Sequence, residues 1–314
     1  MATRSGDDRA AFAYGNMTDQ YEIVDVTAWS VQDTESVGGD EKVWLADPLG
    51  QVWLFKPRTE RPDRIQGEDW AEKIAAEIAR QLGIPAAHVE LAIRDGVRGT
   101  ISLNLRPDGW ERQHGDVLLA ELVLDYRPKT RDRHGHDLNN IARALDNFGP
   151  PLGTDPSLPM TAFEVFAGYL VFDALIANQD RHEQNWAVLR PLPGEGTGAL
   201  AGSYDHGSCL GFNLTDVTRQ FELDREGINR WAGRATAQRF DQATDGQLTL
   251  VELACAALSQ CSPAAREHWL SALEALGEAL WDDIIDRIPE LSDPTRTFVG
   301  ALLDINRRRL LDEC

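Results

Sequence analysis

The stretch Thr161–Ala177, TAFEVFAGYLVFDALIA, constrains the fold more than any other segment, because it is apolar on nearly all sides of a helix. A surface helix keeps a polar face, so one without it has to be wrapped by other elements. At 17 residues it is also shorter than the roughly 20 that cross a bilayer. It is therefore expected as the buried centre of a helical layer. It runs straight into a polar segment, Asn178-Gln179-Asp180-Arg181-His182-Glu183-Gln184-Asn185.

The chain before this helix is strand-like. Tyr21–Val26 reads as one short strand, and Glu41–Asp47 and Gln51–Lys56 flank the turn residues Pro48-Leu49-Gly50, a hairpin. Asp69–Leu82 places Ile74, Ile78 and Leu82 at i+4 spacing, which predicts a helix that Gly83 ends before Pro85. Strand-like runs follow at Val89–Arg94, Gly99–Leu105 and Val117–Tyr126, then a charged loop and a helix near Leu138–Phe148. After the polar segment come a strand at Trp186–Leu189, another at Ala199–Tyr204, and the short Asp205-His206-Gly207. From about Leu248 the pattern is helical. The order predicts an α+β, bilobal chain: a flexible arm at 1–17, a small strand-rich N-lobe with one helix at 18–126, and a larger helical C-lobe at 127–314.

Charge narrows the function classes. With 31 basic against 51 acidic residues and a net charge of -20, a patch-driven nucleic-acid binder is disfavoured. No secretory signal opens the chain and no polybasic run or amphipathic basic helix would hold it on a membrane, so a soluble cytoplasmic protein is expected. Cys209, Cys255, Cys261 and Cys314 lack framework spacing, which suits free thiols in a reducing compartment. Cys255 and Cys261 on an apolar helix read as core packing. Lysine is rare: Lys42, Lys56, Lys73 and Lys129 are the only four. A lysine closing an apolar strand, as Lys56 does, needs a reason in so arginine-rich a chain.

Two clusters carry chemistry. Asp180 and Asn185, five residues apart at the exit of a buried helix, can present oxygens over one pocket, and Asp205 beyond a short hairpin completes an all-oxygen site for a hard cation such as Mg²⁺. Phosphoryl transfer uses such parts: one carboxylate for the acceptor hydroxyl, an Asn and an Asp for the metal. The second cluster is Lys56 with Glu68, Glu72 and Glu77 on the next helix, a cation steered by a helix carboxylate. Each has a plain alternative: a snorkelling lysine, a solvated helix face, an ordinary turn. Their joint order along the chain favours the site. His134-Gly135-His136-Asp137 has a metal-like composition but reads as a polar loop, since no Cys or fourth ligand accompanies it.

In that order the chain resembles the HipA-like kinases, a family with an atypical protein-kinase fold related to the phosphatidylinositol 3- and 4-kinases. Asn178 to Asn185 is similar to the family's N-x-D-x-H-x-x-N catalytic loop, Tyr204-Asp205-His206-Gly207 to its metal-binding segment, and Phe55-Lys56-Pro57 to its ATP lysine segment. Ala71-Glu72 through Ile84-Pro85 resembles its helix, which singles out Glu72 as the partner of Lys56, with Glu68 in reserve. The resemblance implies a bilobal kinase fold and an ATP- and Mg²⁺-dependent phosphotransferase acting on a Ser/Thr hydroxyl of a protein. A small-molecule acceptor and a nucleotide-binding pseudokinase are the alternatives. It further implies that Asp180 orients and deprotonates the acceptor, and that Asn185 and Asp205 hold Mg²⁺. His182 is then either a hydrogen-bond donor in the transition state or a brace of the loop. Gly38 and Gly39 are the candidate phosphate loop, with a plain hairpin turn as the other reading, and Ser36 or Thr34 a site of autophosphorylation there. Adenine is expected near Glu121–Tyr126. Full-length toxins of the family carry a further N-terminal subdomain, whereas 55 residues precede Lys56 here, so an antitoxin partner has no support in the sequence.

Overall fold

The computed structural model describes residues 20–35, 42–62, 64–128, 132–194, 196–225, 227–241 and 247–314. The arm at 1–17 and the candidate loop residues Ser36, Gly38 and Gly39 lie outside them.

The strand-rich part is a six-stranded sheet. Its strands are β1 (Ile23–Asp25), β2 (Ser30–Glu35), β3 (Lys42–Ala46), β4 (Val52–Pro57), β7 (Val89–Arg94) and β8 (Val97–Leu103), in the order β1-β7-β8-β4-β3-β2. Only β1 and β7 pair in parallel. The expected hairpin at Pro48-Leu49-Gly50 is present, with Val43 opposite Phe55. Alternation along β4 buries Trp53 and Phe55 in a cluster with Val43, Leu45 and Ile101, and turns Lys56 to the opposite face. Two-residue strands β5 (Glu60–Arg61) and β6 (Arg64–Ile65) lead into helix α1 (Glu68–Leu82), which packs on β7 and β8. Gly83 closes α1 in the left-handed conformation, as its position predicts.

Residues 117–126, expected as a strand, are different. Gly115–Leu122 is a helix, α2, that buries Gly115, Leu118 and Leu119 and exposes Val117 and Glu121. A short apolar run satisfies either period, and burial at i, i+3 and i+4 shows which one prevails. Before it, β9 (Glu111–His114) pairs with β10 (Ala187–Arg190) in a second sheet of order β11-β10-β9, β11 being Ala199–Leu200. A Cβ at Gly115 would lie 2.1 Å from the Trp186 ring, so the indole packs directly on backbone there.

The helical part comprises α3 (Leu138–Leu145), α4 (Ala162–Leu175), α5 (Asp216–Asp224), α6 (Ile228–Gly233), α7 (Leu250–Ser259), α8 (Pro263–Ala275), α9 (Glu278–Asp286) and α10 (Asp293–Glu313). Helix α4 is the apolar segment of the sequence. It starts in a capping box made by Thr161 and Glu164, and all but one of its residues is buried. Helix α10 packs on each of α4, α5, α6, α7, α8 and α9, and Asn306 Nδ2 donates to the Leu175 carbonyl at the end of α4 (3.1 Å). No helix among the described residues is long and apolar enough to cross a membrane.

The cysteines correct an expectation. Cys255 of α7 and the terminal Cys314 form a disulfide, while Cys209 and Cys261 are free. The pair is 59 residues apart and is brought together by the packing of α10 on α7, which spacing rules do not register. Cysteine usage therefore gives no support to a reducing compartment.

Candidate active site

Two distant segments, α1 and the loop at Asp205, converge on the Lys56 ammonium of β4. Lys56 leaves β4 on the face turned away from Phe55 and contacts the Asp205 carboxylate directly, with Glu72 Oε2 of α1 at 3.9 Å. Lys42, at the start of β3, approaches the other Asp205 oxygen at 3.7 Å. Burial opposes ionisation of Asp205, but Lys56 and Lys42 override it and hold the carboxyl far below the usual carboxylate range. Burial likewise disfavours the Lys56 cation, and Asp205 and Glu72 more than restore it. Of the three candidate carboxylates on α1, Glu72 is the one that reaches Lys56. Glu77 is paired with Lys73 (2.8 Å) and Arg80 (2.6 Å), and Glu68 accepts the Thr59 N–H.

The Asp205-His206-Gly207 segment is held tightly against α1. Asp205 itself has a left-handed φ of 60°. The His206 N–H donates to Glu72 Oε1 (2.8 Å), and a Cβ at Gly207 would stand 3.0 Å from Glu72 Oε2, so no larger residue fits without displacing that carboxylate.

The Asn178–Asn185 segment hangs from α4 by a buried ion pair. Arg181, 2% exposed, spans both oxygens of Asp173 (2.7 and 2.8 Å). It also donates to the Asn185 carbonyl and to Ser203 Oγ, which is 2.7 Å from His206 Nε2. Asn178 adds a bond to Asp173 Oδ1. One continuous polar path thus joins α4, the loop, the Asp205 segment and α1.

Asp180 and Asn185 lie on this loop. Asn185 Nδ2 donates to the Asp180 carbonyl (2.8 Å), which leaves its amide oxygen as the metal-capable atom. The Asp180 carboxylate is taken by Arg239, a residue not singled out by the sequence. His182 Nδ1 accepts the Gln184 N–H (3.1 Å), a brace contact that puts the ring proton on Nε2. Burial pushes the His182 pKa down, with Asp180, Glu183 and Asp205 pulling the other way. Glu121 sits exposed on α2, and no hydrogen bond or ion pair joins it to Lys56, Glu72 or Asp205 among the described residues.

The His134–Asp137 loop is structural at His136. Trp186 Nε1 donates to His136 Nε2 (3.1 Å), so the proton is on Nδ1, which donates to the Arg239 carbonyl (2.6 Å). Burial pushes His136 from 6.5 down to about 4. Between those pH values the unfolded chain takes up a proton that the folded one refuses, so stability falls as pH drops through the window, by up to about 3 kcal/mol. The carboxylates that Lys56 and Lys73 hold down add their loss only below the ordinary carboxylate range. Urea midpoints followed from pH 7 to pH 5 should therefore decline in the wild type, and His136→Gln should flatten the slope. An unchanged slope in the variant rules out this source.

Comparisons with known proteins bear on the family and the fold. The family model described as HipA-like C-terminal domain matches residues 34–269. The chain belongs to that family. No curated protein matches it. Among solved structures it is similar to the Helicobacter pylori proinflammatory kinase CtkA, with a TM-score of 0.66 and 21% identity over 93% of this chain and 96% of that one. It is also similar to HipA of Shewanella oneidensis, solved with HipB and operator DNA, with a TM-score of 0.56 and 14% identity over 91% of this chain and 68% of that one. The HipA-like chain thus has the bilobal, kinase-like α+β fold that its sequence predicts.

Proposed function

We propose that the protein is an ATP- and Mg²⁺-dependent phosphotransferase that places the γ-phosphoryl group on a Ser/Thr hydroxyl of a protein. The observation that carries the reading is the meeting of Lys56, Glu72 and Asp205, residues from a strand, a helix and a distant loop, in one ion cluster. A structural ion pair needs two partners; this one has a lysine turned off an apolar strand and a carboxylate in a left-handed backbone, with Lys42 in addition. In our reading Lys56, steadied by Glu72, contacts the α- and β-phosphates. Asp205 and Asn185 offer hard oxygen donors that suit Mg²⁺. Magnesium, when bound, would neutralise charge on the phosphates. Asp180 accepts the acceptor's hydroxyl proton, and the acceptor oxygen bonds to the γ-phosphorus as the bond to the ADP oxygen breaks. His182 braces the loop through Nδ1 and keeps Nε2–H as a donor.

Strand pairing supports a division between the lobes after β8 rather than at residue 126, because β9 and α2 belong with β10 and α3. The phosphate contacts then come from the six-stranded sheet, and the base and metal ligands from the helical part. The cytoplasm, where ATP is supplied, is the compartment this reading implies. Labelled ATP incubated with the protein and a cell lysate should mark protein bands, and Asp180→Asn should abolish the label. Label found only in small molecules would overturn the protein acceptor, and wild type and variant equally silent while ATP still binds would leave a nucleotide-binding module.

A further inference from the structure

We propose that Arg239 is the positioning residue that orients Asp180 towards the acceptor hydroxyl. The inference rests on the reading of Asp180 as the acceptor-side base. Arg239 donates to Asp180 Oδ1 from Nε (2.8 Å), and its Nη2 forms an ion pair with the same oxygen (2.7 Å). Among the described residues Oδ2 receives no hydrogen bond. The carboxylate is thus held by one oxygen and offers the other.

The rest of Asp180 is already fixed. Its N–H donates to Asn178 Oδ1 (3.1 Å), and its carbonyl accepts from Asn185 Nδ2 (2.8 Å) and the His182 N–H (2.7 Å). Only rotation of the side chain remains, and the Arg239 fork removes that freedom. Arg239 in turn is anchored at its backbone. Its carbonyl accepts from His136 Nδ1, the neighbouring Phe240 ring stacks on His136 at 4.6 Å, and the Asp241 N–H donates to the His136 carbonyl (2.8 Å). On the other side the Thr236 N–H donates to Gln179 Oε1 (3.1 Å). The guanidinium therefore reaches Asp180 from a rigid base 59 residues away.

The pair is a poor device for stability. The side chains of Arg239 and Asp180 are 33% and 27% exposed, and an ion pair that open to solvent contributes about 0–1 kcal/mol. Its value lies in geometry, since a fixed near-attack position of the base speeds transfer. In the step so arranged, the acceptor O–H proton passes to Asp180 Oδ2 while the acceptor oxygen bonds to the γ-phosphorus. The bond from that phosphorus to the leaving ADP oxygen breaks, and Asp180 later returns its proton to solvent.

The test compares wild type, Arg239→Ala, Arg239→Lys and Asp180→Asn with ATP and Mg²⁺, reading ADP release, label transfer to protein and nucleotide affinity by calorimetry. Arg239→Ala should lower turnover at saturating ATP by about 10- to 100-fold while ATP affinity stays within about twofold of wild type. Arg239→Lys should fall between, and millimolar guanidinium ion should restore part of the alanine variant's rate, which a lost fold would not allow. Wild-type turnover in both Arg239 variants, with Asp180→Asn inactive, overturns this inference alone. So does an equal loss of ATP affinity and rate in both. If the wild type itself turns over no ATP, the reading of the site falls and this inference with it.

Discussion

Asp205→Ala should abolish Mg²⁺-dependent nucleotide binding, whereas Asp180→Ala should keep binding and lose turnover. The difference follows from what each carboxylate touches. Asp205 is the anion that Lys56 and Lys42 share, and its strongly depressed pKa keeps it ionised at any working pH. Removing it deletes a hard oxygen ligand and leaves two ammonium groups facing the same place. Affinity for ATP with Mg²⁺ should drop at least about 100-fold, equivalent to roughly 3 kcal/mol. Affinity for ATP in EDTA should hold or rise, because both lysines are then free for the phosphates. Asp180 instead pairs with Arg239, so its loss should act on the rate. Calorimetry with and without metal checks both arms. Equal losses of affinity in the two variants would refute the division.

Breaking the Asp173–Arg181 pair should cost more stability than any other single polar change in the loop. Both side chains are 2% exposed, and Asp173 sits in the last turn of the buried, largely apolar helix α4. Arg181→Ala would strand a buried carboxylate, leave the Asn185 carbonyl without its guanidinium donor and remove one of the two partners of Ser203 Oγ. Deleting one member of a buried pair typically destabilises by about 3–5 kcal/mol. Replacing both, as Asp173→Leu with Arg181→Met, removes the orphan charge and should recover part of that loss, the unfilled loop acceptors accounting for the remainder. Urea unfolding of the two singles and the double measures the coupling. A change below about 1 kcal/mol in Arg181→Ala would show that the pair does not hold the loop.

Much of this site is legible because its parts are local in sequence. Lys56 closes an alternating strand, Glu72 lies on a helix with clean i+4 spacing, and Asp180 to Asn185 follow a segment too apolar to be anywhere but inside. Those patterns depend on neighbours a few residues away. What escapes is long-range. Arg239 meets Asp180 across 59 residues with no motif around it, and Lys42 reaches Asp205 only because β3 runs beside β4. The Asp173–Arg181 pair is an intermediate case, since a carboxylate inside an apolar helix signals a buried cation, and the nearest arginine follows eight residues later. The α2 segment misleads because five apolar positions in a short run fit both periods, and the tertiary burial of Gly115 under Trp186, with Leu118 and Leu119, is what shows which face is inside. The disulfide is a product of tertiary packing and has no local trace.

The place of α10 has a consequence for how the chain is made. Helix α4, which leads into the Asn178–Asn185 loop, is covered on one flank by α10, more than 100 residues further along the chain, and Asn306 of α10 bonds to the carbonyl of Leu175 where α4 gives way to the loop. During synthesis the most apolar helix therefore waits for the 21-residue α10 before its burial is complete. Until then it shows an oily flank with no polar face to turn outward, the kind of surface that chaperones bind and that drives aggregation. Translation products that stop short of α10 should consequently collect in the insoluble fraction rather than persist as partly folded soluble protein.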